Sequence, residues 1–267
     1  MSGPGDWRPR GVDARMPNVA RMYDYYLGGK DHYAIDREAA EQALGHIPRG
    51  REMVTENRRF LHRAVRFLAG EAGIRQFIDI GSGLPTARNV HQIAQEVAPD
   101  AHVVYVDNDP VVLSHARALL ASDSAKVGVV DGDMRYSSRI LADAEVRRLV
   151  DFTHPVAVLL VAVLHFLTEH DDPYSVVRHV RSAIPGGSYL VMSHVDASPE
   201  VTAAERAYDQ ATSPAQGRTY AQIEHFFTGF ELVDPGLVYV QDWRPDGNEN
   251  PGNLLLGGIG YKPENII

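Results

Sequence analysis

The sequence of 267 residues predicts an α/β protein whose mostly parallel sheet is covered by helices on both faces. Two observations support this fold. Short apolar runs recur along the chain and are nearly continuous, which is typical of strands that are buried on both faces. Helical patterns separate these runs, and repeated alternation of strands and helices indicates a parallel sheet. The strands are predicted over residues 77–80, 102–107, 125–133, 156–163 and 188–195, and the helices over residues 85–97, 110–121, 137–149 and 173–184.

The N-terminal part of the chain has a wholly helical pattern. Residues 1–16 have no apolar stretch and are predicted to be a flexible leader, whereas residues 17–70 are predicted to form a helical cap. Asp36 is the predicted cap of the second helix. The pair Gly28-Gly29 is predicted to end the first helix. That helix has an apolar side with spacings of three and four, formed by Val19, Met22, Tyr23, Tyr26 and Leu27.

The C-terminal part, residues 71–267, is predicted to form one domain in which the alternation changes after residue 195. Another helical stretch follows there. Thr219 and Gln222 form the pattern of a capping box and predict the start of a further helix. Two strands are then predicted over residues 230–240 and 253–262, and the turn-rich segment between them suits a hairpin.

The composition argues against several kinds of site and partner. The chain has no cysteine, which excludes disulfides, thiolate metal ligands and cysteine nucleophiles. Its twelve histidines do not show the spacing of zinc ligands. A net charge of −9 without a large basic cluster argues against nucleic acid as a partner. No apolar run has the roughly 20 residues of a membrane helix, and no signal-peptide pattern is present, so we expect a cytoplasmic protein without membrane association.

The first predicted strand ends in the motif DIGSGLPT, residues 79–86. Gly81 and Gly83 have no side chains, so a ligand could approach the backbone closely. The third glycine of a dinucleotide-binding fingerprint is absent, because Thr86 stands in its place. Pro85 suits the first turn of the helix that follows. The alternative interpretation is a tight strand-to-helix turn that binds nothing.

The second predicted strand ends at Asp107, 24 residues after Gly83. A carboxylate at this position can accept hydrogen bonds from both hydroxyls of a ribose. Asp109 precedes Pro110, which is typical of a helix N-cap and first turn, so we assign Asp109 a structural role. Asn108 lies between the two acids and is placed to contact the sugar or the base of the same ligand.

The third predicted strand ends in VVDGDMRY, residues 129–136. Asp131 and Asp133 follow it, at the same edge of the sheet as Gly81 and Asp107. A solvated turn is one explanation, since Asp-Gly is a common turn pair. The other is an adenine site, in which Asp133 accepts a hydrogen bond from the amino group and Met134 packs on the ring.

These motifs together resemble those of the S-adenosylmethionine-dependent methyltransferases of the Rossmann-like type. The shared features are the D-x-G-x-G pattern, the acid that ends the second strand and G-D-M after the third. The segments PNVARMYDYYLGGKDHYAIDREAA, DIGSGLPT and VYVDNDPVVLSHARALL are similar to a narrower bacterial S-adenosyl methyltransferase family. This similarity extends over nearly the whole chain from residue 17 and does not specify the methyl acceptor.

The resemblance implies a Rossmann-like sheet of seven strands, the last two of which form an antiparallel hairpin. It also implies S-adenosylmethionine as the cofactor. In the pattern of the family, Asp79, Gly81 and Gly83 form the turn around the methionine half of the cofactor. Asp107 holds the ribose, and Asp133 and Met134 flank the adenine.

The acceptor side offers one candidate base. The fourth predicted strand exits into Ala162-Val163-Leu164-His165. Enzymes of this type that methylate exocyclic amines of bases or glutamine amides typically have Asn/Asp-Pro-Pro-aromatic at this exit. His165 is the predicted catalytic base, because the ordinary pKa of histidine lies near neutrality. A packed histidine or one that supports the cofactor is an equally open interpretation, and His194 is a weaker candidate for the base.

The tyrosine-rich segment YDYYLGGKDHY, residues 23–33, is predicted to be a lid over the cofactor and the acceptor. Aromatic faces attract a sulfonium as they attract an ammonium, and a closed lid excludes water. Tyr25 is included among the predicted cofactor-binding residues. In the alternative interpretation, Tyr23 and Tyr26 only pack the cap on the sheet domain and Tyr25 is exposed.

Cationic residues of the cap are candidates to pair with the carboxylate of the cofactor. Arg21 is the predicted partner, and Lys30 and Arg58 are alternatives. The leading hypothesis for function is thus methyl transfer to a small-molecule acceptor. A non-catalytic module that binds S-adenosylmethionine as a sensor or partner protein is the second hypothesis. An NAD-dependent oxidoreductase is the third, and it lacks support from a Tyr-x-x-x-Lys motif.

Overall fold

The computed structural model describes residues 15–86, 88–120, 125–247 and 254–264. Within these ranges it contains ten α-helices and eight β-strands. None of the helices in the described ranges is long and apolar enough to cross a bilayer. Three helices precede the first strand: α1 (Val19–Tyr26), α2 (Ala34–His46) and α3 (Gly50–Gly70). Most of the predicted leader, residues 1–14, lies outside the described residues.

Strands and helices then alternate as predicted. The strands are β1 (Gln76–Ile80), β2 (His102–Asp107), β3 (Val127–Asp131), β4 (Ala157–Val161) and β5 (Tyr189–Val195). The helices between them are α4 (Val90–Val97), α5 (Pro110–Leu120), α6 (Ser137–Ala142), α7 (Ala144–Leu149) and α8 (Pro173–Ala183). The C-terminal part adds α9 (Pro199–Glu205), α10 (Tyr220–His225), β6 (Glu231–Leu232), β7 (Val238–Tyr239) and β8 (Leu255–Tyr261).

The eight strands form one sheet in the order β3-β2-β1-β4-β5-β8-β6, and β7 also pairs with β8. Strands β1 to β5 are parallel, whereas β8 is antiparallel to β5, β6 and β7. The predicted α/β fold with an antiparallel C-terminal end is therefore confirmed. The described sheet has eight strands rather than seven, because a turn around Pro235 and Gly236 divides the predicted strand 230–240 into β6 and β7.

Helices cover both faces of the sheet, and alternate residues of β1 point to the two sides. Ile78 and Ile80 belong to one apolar core, with residues of α6, α7, α8 and α10. Phe77 belongs to the other core, with residues of α3, α4 and α5. The end of α3 at Gly70 coincides with the predicted boundary of the cap, but α3 itself packs into the core of the sheet.

Two helix boundaries differ from the prediction for local reasons. The helix predicted from residue 85 begins at Val90, because Asn89 and Gln92 form a capping box there, and Pro85 lies in the preceding loop. The helix predicted over residues 137–149 is divided into α6 and α7. Asp143 causes the division, since its side chain accepts a hydrogen bond of 2.8 Å from Glu145 N and caps α7.

The first helix ends as the sequence predicts. Gly28 has a φ of 77°, a left-handed conformation that favours glycine after a helix end. Buried residues of α1, α2 and α3 form a separate small core, to which Tyr208 also contributes. Asp36 is the third residue of α2, where its carboxylate accepts a hydrogen bond from Tyr33 N, so Asp36 supports the cap instead of being the N-cap residue itself.

Candidate functional site

A cavity of about 360 Å³ lies at the carboxyl ends of the parallel strands. The strand order reverses here: β2 and β3 lie on one side of β1, and β4 and β5 lie on its other side. Open α/β sheets bind their ligands at such a switch point. The ends of β1, β2 and β3 all contribute to the wall, with Asp79, Gly81, Ser82, Gly83, Asp107, Asn108, Gly132, Asp133 and Met134.

Two glycines give the loop after β1 its course. Gly81 has a φ of 72°, and a Cβ there would come within 2.2 Å of the Val163 side chain. Gly83 has a φ of 66°, and a Cβ there would meet no other atom within 4 Å. Gly81 thus permits close approach to the loop after β4, while Gly83 leaves space beside the backbone at the wall of the cavity.

Asp107 joins the loops after β1 and β2. Its Oδ2 accepts a hydrogen bond of 2.9 Å from Gly83 N, and its Oδ1 accepts one of 2.9 Å from Asp109 N. Burial raises the pKa of Asp107 to about 6, although these two N–H donors lower it. A carboxylate has about four lone-pair sites, so about two remain for a ligand. Asp109 caps α5 as predicted, with Oδ1 accepting from Val111 N at 2.6 Å.

Asp79 is buried at the wall of the cavity and accepts no hydrogen bond from the described residues. Burial raises the pKa of its carboxyl to about 7, Arg58 lowers it, and Asp107 raises it further. Arg58 and Asp79 both line a smaller second cavity that also includes Ser82 and Gly83. The Arg58 guanidinium donates to Thr86 Oγ1 and to the carbonyl oxygen of Arg88.

Helix α1 covers the cavity with Val19, Ala20 and Tyr23. The other two tyrosines of this helix point elsewhere. Tyr26 is buried, and its hydroxyl lies 3.1 Å from that of Tyr208. Tyr25 donates a hydrogen bond of 2.5 Å to Glu41 at the outer side of the cap. This position corrects the prediction that Tyr25 contacts the cofactor, since α1 can turn only one side to the cavity.

Arg21 is also directed away from the cavity. It is buried, and its Nε lies 2.8 Å from Asp36 Oδ2 in an ion pair. It donates a further hydrogen bond of 2.9 Å to the carbonyl oxygen of Met16. The prediction that Arg21 pairs with the cofactor is therefore corrected, because Asp36 already neutralises its charge. Lys30 is exposed and does not line the cavity, so Arg58 is the predicted cation that does.

A chain of hydrogen bonds connects α1 to the end of β4. Asn57 Nδ2 donates to the Tyr23 hydroxyl at 2.9 Å, and Asn57 Oδ1 accepts from Ser193 Oγ at 2.6 Å. Ser193 Oγ in turn accepts from Ala162 N at 2.9 Å. Ala162 has a φ of 54°, which is rare for a residue with a side chain and often marks a functional site. The network holds this conformation at the cavity wall.

His165 lies behind the cavity and does not line it. Its ring contacts Phe166 and His194, with centroids 4.4 and 5.5 Å away. Burial lowers the pKa of His165 to about 3, and Arg218 lowers it as well. This position corrects the prediction of His165 as the catalytic base, since the ring does not line the cavity in which an acceptor would lie. His194 is buried in the same cluster, and burial also lowers its pKa.

The buried Arg218 holds the segment after β4 in place. Its guanidinium donates to the carbonyl oxygens of Leu164 and Leu167, at 3.3 and 2.8 Å. It also contacts His194 Nε2 at 2.9 Å and Glu169 Oε1 at 3.1 Å. The wall that carries Phe166 is thus supported from behind by a charged residue without exposure to solvent.

Comparison with known proteins agrees with this geometry. The family model described as S-adenosyl methyltransferase matches residues 5–263. The chain belongs to this S-adenosyl methyltransferase family. Its cofactor is therefore S-adenosylmethionine, as the sequence motifs predict. A search of curated protein sequences finds no significant match.

Two crystal structures are similar to this methyltransferase family member over nearly its whole length. A candidate methyltransferase from Thermobifida fusca YX has 46% identity and a TM-score of 0.90, covering 97% of this chain and 99% of that one. A DUF574 family protein from Streptomyces avermitilis MA-4680 has 42% identity and a TM-score of 0.90, covering 94% and 99%. An O-methyltransferase family protein from Burkholderia thailandensis shares the fold alone, with 13% identity, a TM-score of 0.52 and coverage of 89% and 74%.

The far end of the cavity of this methyltransferase family member contains residues to which the sequence motifs assign no role. Ala162 and Arg135 belong to the segments that follow β4 and β3, and Asn57 belongs to α3, so their positions in the cavity depend on contacts between distant segments. Other lining residues come from three separate segments, before α1, after β4 and after α9: Asn18, Phe166, Leu167, Asp171, Thr212, Ser213 and Pro214.

Proposed function

We propose that this chain transfers a methyl group from S-adenosylmethionine to a small-molecule acceptor bound at the far end of the cavity. The observation that carries the proposal is the convergence of three strand ends on one cavity, at Gly81, Asp107 and Asp133. These loops come from β1, β2 and β3, on one side of the switch point. The far end, beside the loop after β4, leaves space for an acceptor.

The donor groups of the cavity fit the parts of the cofactor. We assign the ribose hydroxyls to Asp107, whose carboxylate has about two lone-pair sites left. The buried Asp79 suits the ammonium of the methionine half, and Arg58 suits its carboxylate. Asp133 and Met134 suit the adenine amino group and ring. Gly81 and Gly83 let the backbone approach the cofactor closely.

The chemistry requires alignment more than activation. When bound, S-adenosylmethionine supplies a methyl group on a sulfonium, which an acceptor lone pair attacks in line while the carbon–sulfur bond breaks. The protein must therefore hold the acceptor opposite that bond and exclude water. Tyr23 and Phe166 line the cavity on the cap side and the β4 side, and their positions are set by the Asn57 network and by the Arg218 contacts.

The enclosure and charge of the cavity support a small acceptor. Helix α1 covers the cavity, and Thr212, Ser213 and Pro214 lie at its wall. Among the described lining residues there are five aspartates and two arginines. This excess of negative charge repels the phosphates of nucleic acid.

The first experiment is calorimetry of the purified protein with S-adenosylmethionine and S-adenosylhomocysteine. We expect dissociation constants in the micromolar range for both ligands. The absence of heat and of a thermal shift with either ligand would remove the proposal. NADH, tested by fluorescence, should not bind.

The second experiment separates an enzyme from a binding module. The protein is incubated with methyl-labelled S-adenosylmethionine and with the small-molecule and macromolecular fractions of a cell extract. We expect label in products of the small-molecule fraction, and at limiting cofactor at least several-fold less label with the Asp107→Ala variant. Tight cofactor binding without transfer to either fraction would favour a non-catalytic module, and transfer to macromolecules alone would contradict a small acceptor.

A further inference from the structure

Arg135 occupies most of the hydrogen-bonding capacity of the Asp133 carboxylate, which the adenine amino group would need. Its carboxylate accepts from Arg135 N at 2.9 Å, from Arg135 Nε at 3.0 Å and from the Arg135 terminal nitrogen Nη2 at 2.5 Å. These three donors occupy about three of the roughly four lone-pair sites of a carboxylate, and the guanidinium contacts both oxygens. Asp107, by contrast, has about two sites left.

The Arg135 side chain is the donor that can leave most easily. It is 50% exposed, so water can solvate the guanidinium when it moves. The bond from Arg135 N is part of the turn in which Asp133 caps the short 3₁₀ helix Met134–Tyr136. The hydrogen bond from Arg135 N therefore stays. The guanidinium can leave Asp133, and its departure frees carboxylate oxygens for the adenine amino group.

A second carboxylate lies on the other side of Arg135. Asp171 Oδ1 is 4.0 Å from Arg135 Nη1, too far for a hydrogen bond. Its Oδ2 accepts from Thr168 N and Thr168 Oγ1, both at 2.9 Å, which fixes the orientation of the carboxylate. Asp171 lines the cavity together with Phe166 and Leu167. A shift of about 1 Å would bring Nη1 within hydrogen-bond distance of Oδ1.

We infer that Arg135 is a positioning residue that moves from Asp133 to Asp171 when the adenine amino group binds. The inference rests on the proposed function, because it requires the cofactor in this cavity. When the cofactor binds, the Arg135 guanidinium forms an ion pair with the Asp171 carboxylate at the far end of the cavity. The acceptor site is complete only after the cofactor is bound, so the cofactor binds first and the acceptor second.

A double-mutant cycle on the affinity for S-adenosylhomocysteine tests this exchange. Asp171→Asn removes the ion pair that Arg135 gains, and we expect about threefold weaker binding, the scale of an exposed ion pair. Arg135→Ala removes the competitor for Asp133, so binding should equal or exceed that of the natural protein. In the Arg135→Ala background, Asp171→Asn should have no effect. Asp172→Asn is the matched control, since Asp172 pairs with Arg178 and does not line the cavity.

A crystal structure with S-adenosylhomocysteine gives the direct readout. We expect the Arg135 guanidinium within about 3.2 Å of Asp171 and the adenine amino group on Asp133. If the ligand binds and Arg135 still chelates Asp133, or if Asp171→Asn weakens binding equally in both backgrounds, the inference is wrong and the proposed function stands. If the natural protein binds no S-adenosylhomocysteine at all, the proposed function fails first.

Discussion

The Ser193 hydroxyl donates a hydrogen bond of 2.6 Å to Oδ1 of Asn57, and both residues are buried. Asn57 belongs to α3 and Ser193 to β5, so the contact joins the helical layer to the sheet. The pair also reaches Tyr23 of α1 and the left-handed Ala162 after β4. Two walls of the cavity therefore share one hydrogen-bonded support.

Asn57→Ala should destabilise the protein because it leaves the buried Ser193 hydroxyl without its acceptor and removes a donor to Tyr23. We expect a loss of about 1–3 kcal/mol in the free energy of unfolding, measured by urea denaturation. A double-mutant cycle with Ser193→Ala should show a coupling energy of about 0.5–3 kcal/mol, with the double variant less destabilised than the sum of the two single variants. Thr55→Ala, in the same helix, is the control and should stay within about 0.5 kcal/mol. Additive effects of the two substitutions would contradict the network.

Asp107→Ala should weaken the binding of S-adenosylhomocysteine at least tenfold while the fold survives. The substitution removes the ribose acceptor and also the anchor of Gly83 N, so the loop after β1 is loosened. Calorimetry measures the affinity, and circular dichroism checks the fold. Asp131→Asn is the matched control, because Asp131 lies opposite Asp107 in the register but is exposed and outside the cavity. Unchanged affinity of Asp107→Ala would mean that the ribose lies elsewhere.

The affinity for S-adenosylhomocysteine should rise with pH up to about 7. Burial raises the pKa of Asp79 to about 7, and the carboxyl must lose its proton to pair with the ligand ammonium. Below that pH, each unit should cost up to about tenfold in affinity. Calorimetry below pH 7 in two buffers with different heats of ionisation should show that ligand binding releases a proton. The Asp79→Asn variant should release up to one proton fewer, because it lacks the carboxyl. An identical pH profile for the variant would contradict the assignment.

The same pKa shift predicts how the stability of the ligand-free protein depends on pH. A carboxyl with a raised pKa binds its proton more tightly in the folded protein than in the unfolded chain. The contribution of Asp79 to stability is therefore present at low pH and is lost as the pH rises from about 4 to about 7. Asp79→Asn should flatten this part of the stability profile, and a profile that keeps its slope would show that Asp79 ionises normally.

His165 should stay neutral well below pH 6, which NMR titration of its ring can measure. Burial lowers its pKa to about 3, so the unfolded chain takes up a proton before the folded protein does. Stability is accordingly lost as the pH falls from about 6.5 towards 3. His165→Gln should reduce this acid loss, which urea denaturation at a series of pH values measures. A ring that titrates near 6.5 would restore His165 as a candidate base.

Local signals predicted the strand ends that form the cofactor side. Gly81 and Gly83 follow an apolar run, and the acids Asp107 and Asp133 follow two others. In a parallel sheet these ends must meet at one edge, so position along the chain is enough to bring them together. Helix termini were less predictable, as Asn89 and Asp143 show, because their caps compete with other start points nearby.

The wrong predictions concern the direction of side chains. Arg21 has the right charge to bind the carboxylate of a ligand, but its guanidinium forms an ion pair with Asp36 of the next helix instead. His165 follows the correct strand, but the segment turns its ring away from the cavity, towards His194. Neither partner is recognisable in a sequence, since each contact arises only when separate segments pack.

The sequence by itself determined the α/β order, the family and the set of strand-end residues, because periodicity, glycines and terminal acids act within a few residues of the chain. Only the tertiary structure decided which side of α1 faces the cavity, that Asn57 and Ser193 support it, and that Arg135 occupies Asp133. The physical reason is that hydrogen bonds and ion pairs between distant segments form by proximity in space, and proximity is a property of the packed chain.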